Sequence, residues 1–265
     1  MRRMMHLAVS TLLPLMLICG AAAAAENRRV KEDLADDPRA IAAGFLNYHP
    51  DLQYRSYGIR AYGKQDYERA MLLFRRAAFY ADKPSQAMIG EMYSRGEGVP
   101  RDQALAYAWM DLAAERGYVD FTVLRERYWS ALDSAGQARA LAEGEAIYAR
   151  FGDAAAKPRF ATQLRRGSKE GVGSRTGFTG NVKINIPGPS GEETIDGSKF
   201  KDISYWDAGE YWKMQDRIWR NPSGARVKVG ELELLGLDGA PASRVPETAP
   251  EVDAEEPEVP DDPAP

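Results

Sequence analysis

The sequence predicts an all-α array of stacked helix pairs, wound as a right-handed superhelix, with a small mixed α/β appendage behind it. Three observations carry that prediction. Small residues and aromatics recur at matching offsets in residues 51–84 and 85–120. The apolar positions there follow helical spacing. Strand-like alternation is confined to residues beyond 180.

The N-terminus comes first. Arg2 and Arg3, an apolar run from Leu7 to Ile18 and the alanines Ala21–Ala25 form the three parts of a secretory signal peptide. The run is shorter than the roughly 20 residues of a membrane-spanning helix. Residues 1–25 are therefore expected to be cleaved after Ala25, leaving a periplasmic or secreted chain. A retained anchor is the alternative, and membrane contact would then be through this segment alone. Lipid attachment at Cys19 is disfavoured, because Leu17-Ile18 lacks the small residue such a site uses. Cleavage removes the single cysteine and His6, so His49 is the only histidine left and no disulfide can form.

Asp37-Pro38 opens a helix, with Asp as cap and Pro at the first helical position. Ile41, Phe45 and Tyr48 share its face, and His49-Pro50 ends it, because the residue before proline disfavours the α region. The first repeat, 51–84, carries Tyr54, Tyr57, Gly58, Ala61, Ala70, Phe74 and Ala77. Gly58 removes a side chain where two helices cross, Ala70 and Ala77 keep the crossing close, and Phe74 fills the gap. This spacing resembles the tetratricopeptide repeat, although Tyr54 stands in place of its usual Trp and Ala61 in place of its Tyr.

The second repeat, 85–120, has a longer turn, from Ser94 to Asp102. Its residues Gly90, Tyr93, Gly96, Gly98, Asp102, Ala106, Trp109, Ala113, Ala114 and Gly117 resemble the Sel-one-like repeat motif nearly position by position. The resemblance covers this repeat well and reaches into the previous one. It implies a tetratricopeptide-like protein of exported bacterial type that presents a concave helical surface to partner proteins. Residues 121–152 read as a terminal pair: one helix from Val119 to Trp129, and a second opened by a Ser134–Gln137 capping box with Leu141, Gly144, Tyr148 and Phe151 on one face. The array thus spans 38–152.

Beyond it, residues 153–180 read as a Gly/Ser/Lys/Arg linker, and 181–236 as a strand–helix–strand region. Asn181–Ile186, Val227–Val229 and Leu232–Leu234 are its extended pieces, and Ser204–Arg220 its helix. Residues 237–265 hold nine acids and one base, Arg244, within a formal net charge of −4 for the chain. That composition predicts a disordered acidic tail. The rest is close to neutral, so no basic stripe points to nucleic acid.

Chemistry is thinly represented. One histidine beside a proline reads as a cap or surface residue, and zinc cannot be held by ordinary ligand spacing. Gly96-x-Gly98 lacks the third glycine and the preceding strand of a phosphate cradle. Asp102, Glu91 and Asp111 read as helix caps or surface groups. No catalytic residue, cofactor or metal is expected. The reading is a binding scaffold for another envelope protein, with Arg55, Arg60, Glu91 and Arg95 as candidate contacts on the first helices. Trp206, Trp212 and Trp219 are the alternative: a docking anchor, or a stacking platform for cell-envelope glycan.

Overall fold

A computed structural model describes residues 38–170, 183–188, 191–220 and 243–259. All lie in a unit spanning Leu34–Pro265. The expected signal segment lies outside the described residues. Among the described residues no helix is long and apolar enough to cross a membrane.

The expected first helix is two pieces, α1 (Pro38–Ala42) and a 3-10 turn (Phe45–Tyr48). Between them Gly44 adopts φ +81°, a conformation that a β-carbon disfavours. The repeats follow as α2 (Pro50–Gly63), α3 (Tyr67–Ala78), α4 (Lys83–Arg95) and α5 (Gln103–Ala113). Each boundary has a local cause. Proline sits in the first turn of α2 and α4, where its missing N–H would be unpaired anyway. Asp66, Asp82 and Asp102 accept backbone N–H bonds at the starts of α3, α4 and α5. Gly96, at φ +75°, ends α4 and donates to Met92 O at 2.8 Å.

The crossings are close because side chains are missing. A β-carbon on Gly58 would lie 2.6 Å from the Phe74 ring, and one on Gly90 would lie 3.0 Å from Ala106 O. The α4–α5 contact is therefore backbone against backbone. Ala70, Phe74, Ala77, Ile89, Met92, Ala106, Trp109 and Leu112 are buried along these faces. A 3-10 turn (Ala114–Arg116) closed by Gly117 leads into α6 (Val119–Ser130) and α7 (Ser134–Phe151). Asp133, not Ser134, caps α7, accepting from Gly136 N at 2.7 Å. Gln137 instead reaches the carbonyls of Trp129 and Leu132.

The linker expectation is overturned over most of its length. Residues Asp153–Glu170 form α8, with Pro158 inside it, and 171–180 lie outside the described residues. Its apolar stripe is narrow: Ala156, Phe160 and Leu164 recur every fourth residue and are fully buried, while Lys and Arg fill the other faces. Composition hid that stripe.

The next region differs from strand–helix–strand as well. β1 (Lys183–Gly188) pairs antiparallel with β2 (Gly191–Asp196), with Ile184 opposite Ile195. The break expected at Pro187-Gly188 is a tight hairpin end. Then come α9 (Gly197–Phe200), α10 (Ile203–Trp206) and α11 (Ala208–Arg220), so the helix expected at 204–220 is interrupted at Asp207. The extended pieces expected at 227–229 and 232–234 lie outside the described residues.

The tail expectation is also corrected over residues 243–259. This stretch lies along the array: Val245 is buried against Gly144, and Glu251 N donates to Ala149 O at 2.6 Å. One buried cluster joins Phe74, Ile89 and Trp109 of the repeats with Phe151, Phe160, Leu164 and Tyr211, with Val259 packed against it. The C-terminal half thus completes the core.

Candidate functional site

The motif residues fall at internal positions. Ala70, Phe74, Ala77, Ala106, Ala113, Ala114, Tyr93 and Trp109 are buried. Asp102 accepts from the backbone N–H groups of Ala104 and Leu105, both at 3.0 Å, and pairs with Arg139. These bonds hold its carboxyl below the usual range despite burial. Gly98, at φ +71°, lets the long turn lie on the backbone of Tyr67, 2.5 Å from where a β-carbon would be.

Behind this framework sit charged side chains that sequence reasoning missed. Lys83 is 1% exposed, and its ammonium donates to Leu112 O at 3.1 Å, Gln86 Oε1 at 3.1 Å and Glu115 Oε2 at 2.5 Å. It also lies 3.1 Å from Asp153 Oδ1. Arg116 forks onto both oxygens of Asp153 at 2.7 and 2.8 Å. Burial would raise the Asp153 carboxyl, but Lys83, Arg116 and Lys157 together hold it far below the carboxylate range. The Trp212 ring closes the cluster, 4.5 Å from the Arg116 guanidinium and 5.4 Å from the Lys157 ammonium. Four segments meet here: α4, the 114–116 turn, α8 and α11.

A second group borders it. Asp51 on α2 is buried and accepts a short hydrogen bond from Tyr211 of α11, while Asp82 pairs with Arg55 at 2.7 Å. Burial first, and then the Asp82 charge, raise the Asp51 carboxyl from 3.8 to about 7, against the Tyr211 bond and the Arg55 charge. A shift of this kind marks many catalytic carboxylates. Here the space beside it, lined by Asp51, Asp82, Lys83, Arg116, Trp212 and Trp219 among others, measures only about 10 Å³. That volume admits one water-sized molecule, not a substrate.

Two single-residue readings change accordingly. His49 is not a surface cap. It is fully buried, stacked 4.1 Å from Phe45, with Nδ1 and Nε2 each 2.9 Å from the carbonyl oxygens of Phe45 and Tyr205. Asp111 is likewise buried: Tyr107, Tyr148 and Ser243 donate to it, and Arg125 lies 3.7 Å away.

The candidate contact residues divide. Arg55 is engaged with Asp82, and its guanidinium lies 6.0 Å from the Trp219 ring, so it serves the interior and not the surface. Trp206 is buried, donating from its indole nitrogen to Phe200 O at 2.6 Å. Trp219 packs on Phe121, and Trp212 on Phe160. Trp206 is thus enclosed, while Trp212 and Trp219 are half-buried, each with one side against a ring of the array. Arg60, Glu91 and Arg95 remain on the outside. Arg95 is 54% exposed, bonds Glu91 at 2.7 Å and donates to Tyr62 Oη at 3.0 Å; Tyr62 in turn donates to Glu97 at 2.7 Å. Ile59, 58% exposed, and Arg60 precede Tyr62 on α2. Tyr62, Glu91, Arg95 and Glu97 are thus linked to one another, and Ile59 and Arg60 are exposed on α2. Among the described residues no group of three or more His, Cys, Asp or Glu is placed to hold a metal ion.

The Sel1 repeat family model matches residues 54–78 and 83–118, the segments that form α2–α3 and α4–α5 with their flanking turns. No curated protein and no solved structure matches the chain.

Proposed function

Since the chain is a Sel1-like repeat protein, we propose that it is an exported, non-catalytic scaffold that binds another envelope protein through its repeats. Sel1 repeats generally mediate protein–protein interaction. The observation that carries the finer reading is the contrast between two charged groups of the array. The Asp51–Lys83–Asp153 group is sealed around a space too small for a substrate. The Tyr62–Glu91–Arg95–Glu97 group faces outward with its side chains already fixed to one another. Fixed polar side chains beside an exposed apolar one lose little entropy on binding a protein. Export is supported by the basic, apolar and small-residue segments of residues 1–25.

The test is a photo-crosslinking amino acid placed at Arg60 or Arg95 of the full chain, with Lys213 as the control position. In envelope extract, Arg60 and Arg95 should yield a discrete protein adduct and Lys213 none. Adducts from Lys213 alone would move the interface to α11. The double variant R60E/R95E should reduce the adduct formed from a crosslinker at Glu97 by about tenfold, the effect of losing about 1.4 kcal/mol. An unchanged yield would reject these residues as contacts.

A further inference from the structure

We propose that the surface made by α3, α7 and α8 is a channel for an extended acidic segment of a partner protein, and that residues 243–259 occupy it in cis. The mode of holding is the first reason. The stretch from Glu251 to Glu255 is gripped through its backbone: Glu251 N donates to Ala149 O at 2.6 Å, and Arg159 donates to the carbonyls of Glu251 at 3.1 Å and Val252 at 3.3 Å. Arg150 donates to Glu255 O at 2.5 Å. Bonds to backbone atoms take any extended chain and are indifferent to its side chains.

Charge is the second reason. Arg76, Arg150 and Arg159 converge on the seat, and the tail's only carboxylate in a described ion pair with them is Glu256, 2.7 Å from Arg76. Burial and the neighbouring Arg150 charge lower Arg159 to about 10, as expected where cations crowd together. An acidic occupant relieves that crowding.

Fit is the third. Val245 is matched to its place: a β-carbon on Gly144 would lie 2.5 Å from it. Farther along, the match fails. An open groove of about 370 Å³ lies between the tail and α8, where Phe79, Tyr80 and Pro158 border it beside Arg159, Gln163 and Arg165. A chain carrying a larger apolar side chain than the half-exposed Val252 would cover more of Phe79, Tyr80 and Pro158. Such a segment could displace an occupant whose tether gives it a millimolar-range effective concentration. This channel uses residues other than Arg60 and Arg95, so its failure leaves the outward-facing surface of the repeats untouched.

Two fluorescein-labelled synthetic peptides of residues 243–259 test the proposal, one with the natural sequence and one carrying Val252→Phe. Anisotropy is measured on the full wild-type chain and on the full-length variant R244E/V245D/E251P/E256R. That variant sets Glu against Glu126, a carboxylate against Gly144 and a cation against Arg76, and deletes the Glu251 N–H donor, releasing the tail. The released chain should bind the Val252→Phe peptide about tenfold more tightly than the natural one, and the wild-type chain should bind either peptide about tenfold more weakly than the released chain. If circular dichroism shows that this variant does not fold, E251P/E256R, which deletes the Glu251 N–H donor, sets a cation against Arg76 and alters no helix, takes its place. The proposal is overturned by a folded released chain that binds neither peptide, or by no gain from Val252→Phe. A wild-type chain that dimerises with concentration by exchanging tails would overturn it too, making the occupant a second copy.

Discussion

Residues 50–118 and the described residues from Asp153 onward enter the same core by different physical means. In the first region periodic small residues let helix backbones approach, and large apolar side chains fill the remaining space, as at Gly58 with Phe74 and at Gly90 with Ala106 and Met110. In the second, attachment depends on isolated anchors. Phe160, Leu164 and Tyr211 are fully buried, yet each sits in a segment rich in charge, and several contacts of this region are ionic: Asp153 with Lys83 and Arg116, Arg76 with Glu256, Arg244 with Glu126. The difference teaches that a repeat array can be recognised locally while its stability is supplied from elsewhere. Two motif-bearing pairs leave apolar faces open; here α6 and α7 pack on α5, and Phe160 and Leu164 of α8 and Tyr211 of α11 join the same buried cluster.

The comparison breaks first at truncation. Residues 26–153 carry every repeat motif and would fold alone if the array were self-sufficient. Lacking Phe160, Leu164 and Tyr211, and with Lys83 deprived of most of Asp153's surroundings, that fragment should lose more than about 5 kcal/mol and melt without cooperativity. A sharp thermal transition in circular dichroism would show that the repeats hold themselves together and that α8 and α11 merely decorate them.

The Asp51–Tyr211 contact sharpens the comparison, because it joins α2 to α11 directly. With its carboxyl raised from 3.8 to about 7, Asp51 keeps its proton in the folded chain over a range where the unfolded chain has lost it. Its stabilising contribution is therefore complete below about pH 4 and is lost as pH rises through 7. Asp51→Asn should remove that dependence. Unfolding free energies from denaturant titrations at pH 4 to pH 8 should fall for the wild type relative to the variant by on the order of 2–4 kcal/mol. Parallel curves would mean that the Asp51 carboxyl is not held protonated.

Within the repeats the expected effect is steric. Gly58→Leu and Gly90→Leu should each cost about 2–3 kcal/mol, since the first drives a side chain into the Phe74 ring and the second into the α5 backbone. Melting temperatures equal to wild type would deny that these crossings are close. The smallest effect belongs to the tail. Deleting residues 243–265 removes Val245 and several polar bonds and should cost about 1–2 kcal/mol by chemical denaturation. A loss beyond that range would make the tail part of the core in the same sense as α8.

Much of this protein was legible in advance wherever a residue's role is decided by its neighbours along the chain. Gly96 ends a helix because its backbone takes a positive φ, Asp102 caps the next one by accepting from the N–H groups two and three residues on, and Gly58, Ala70, Phe74 and Ala77 mark a crossing by spacing alone. The sequence by itself determined the Sel1-like helix pairs and their turns, because periodicity and backbone freedom are local properties. Only the tertiary structure decided that Asp153–Glu170 is a core helix, that Trp206 and Arg55 face inward, that His49 is buried between carbonyls, and that an acidic tail lies on arginines. Each of those outcomes depends on a partner far away in sequence: Lys83 for Asp153, Asp82 for Arg55, Tyr205 for His49, Arg76 for Glu256. A charged residue read alone belongs in water, and burial becomes favourable only once the fold sets the opposite charge and the hydrogen-bonding carbonyl beside it.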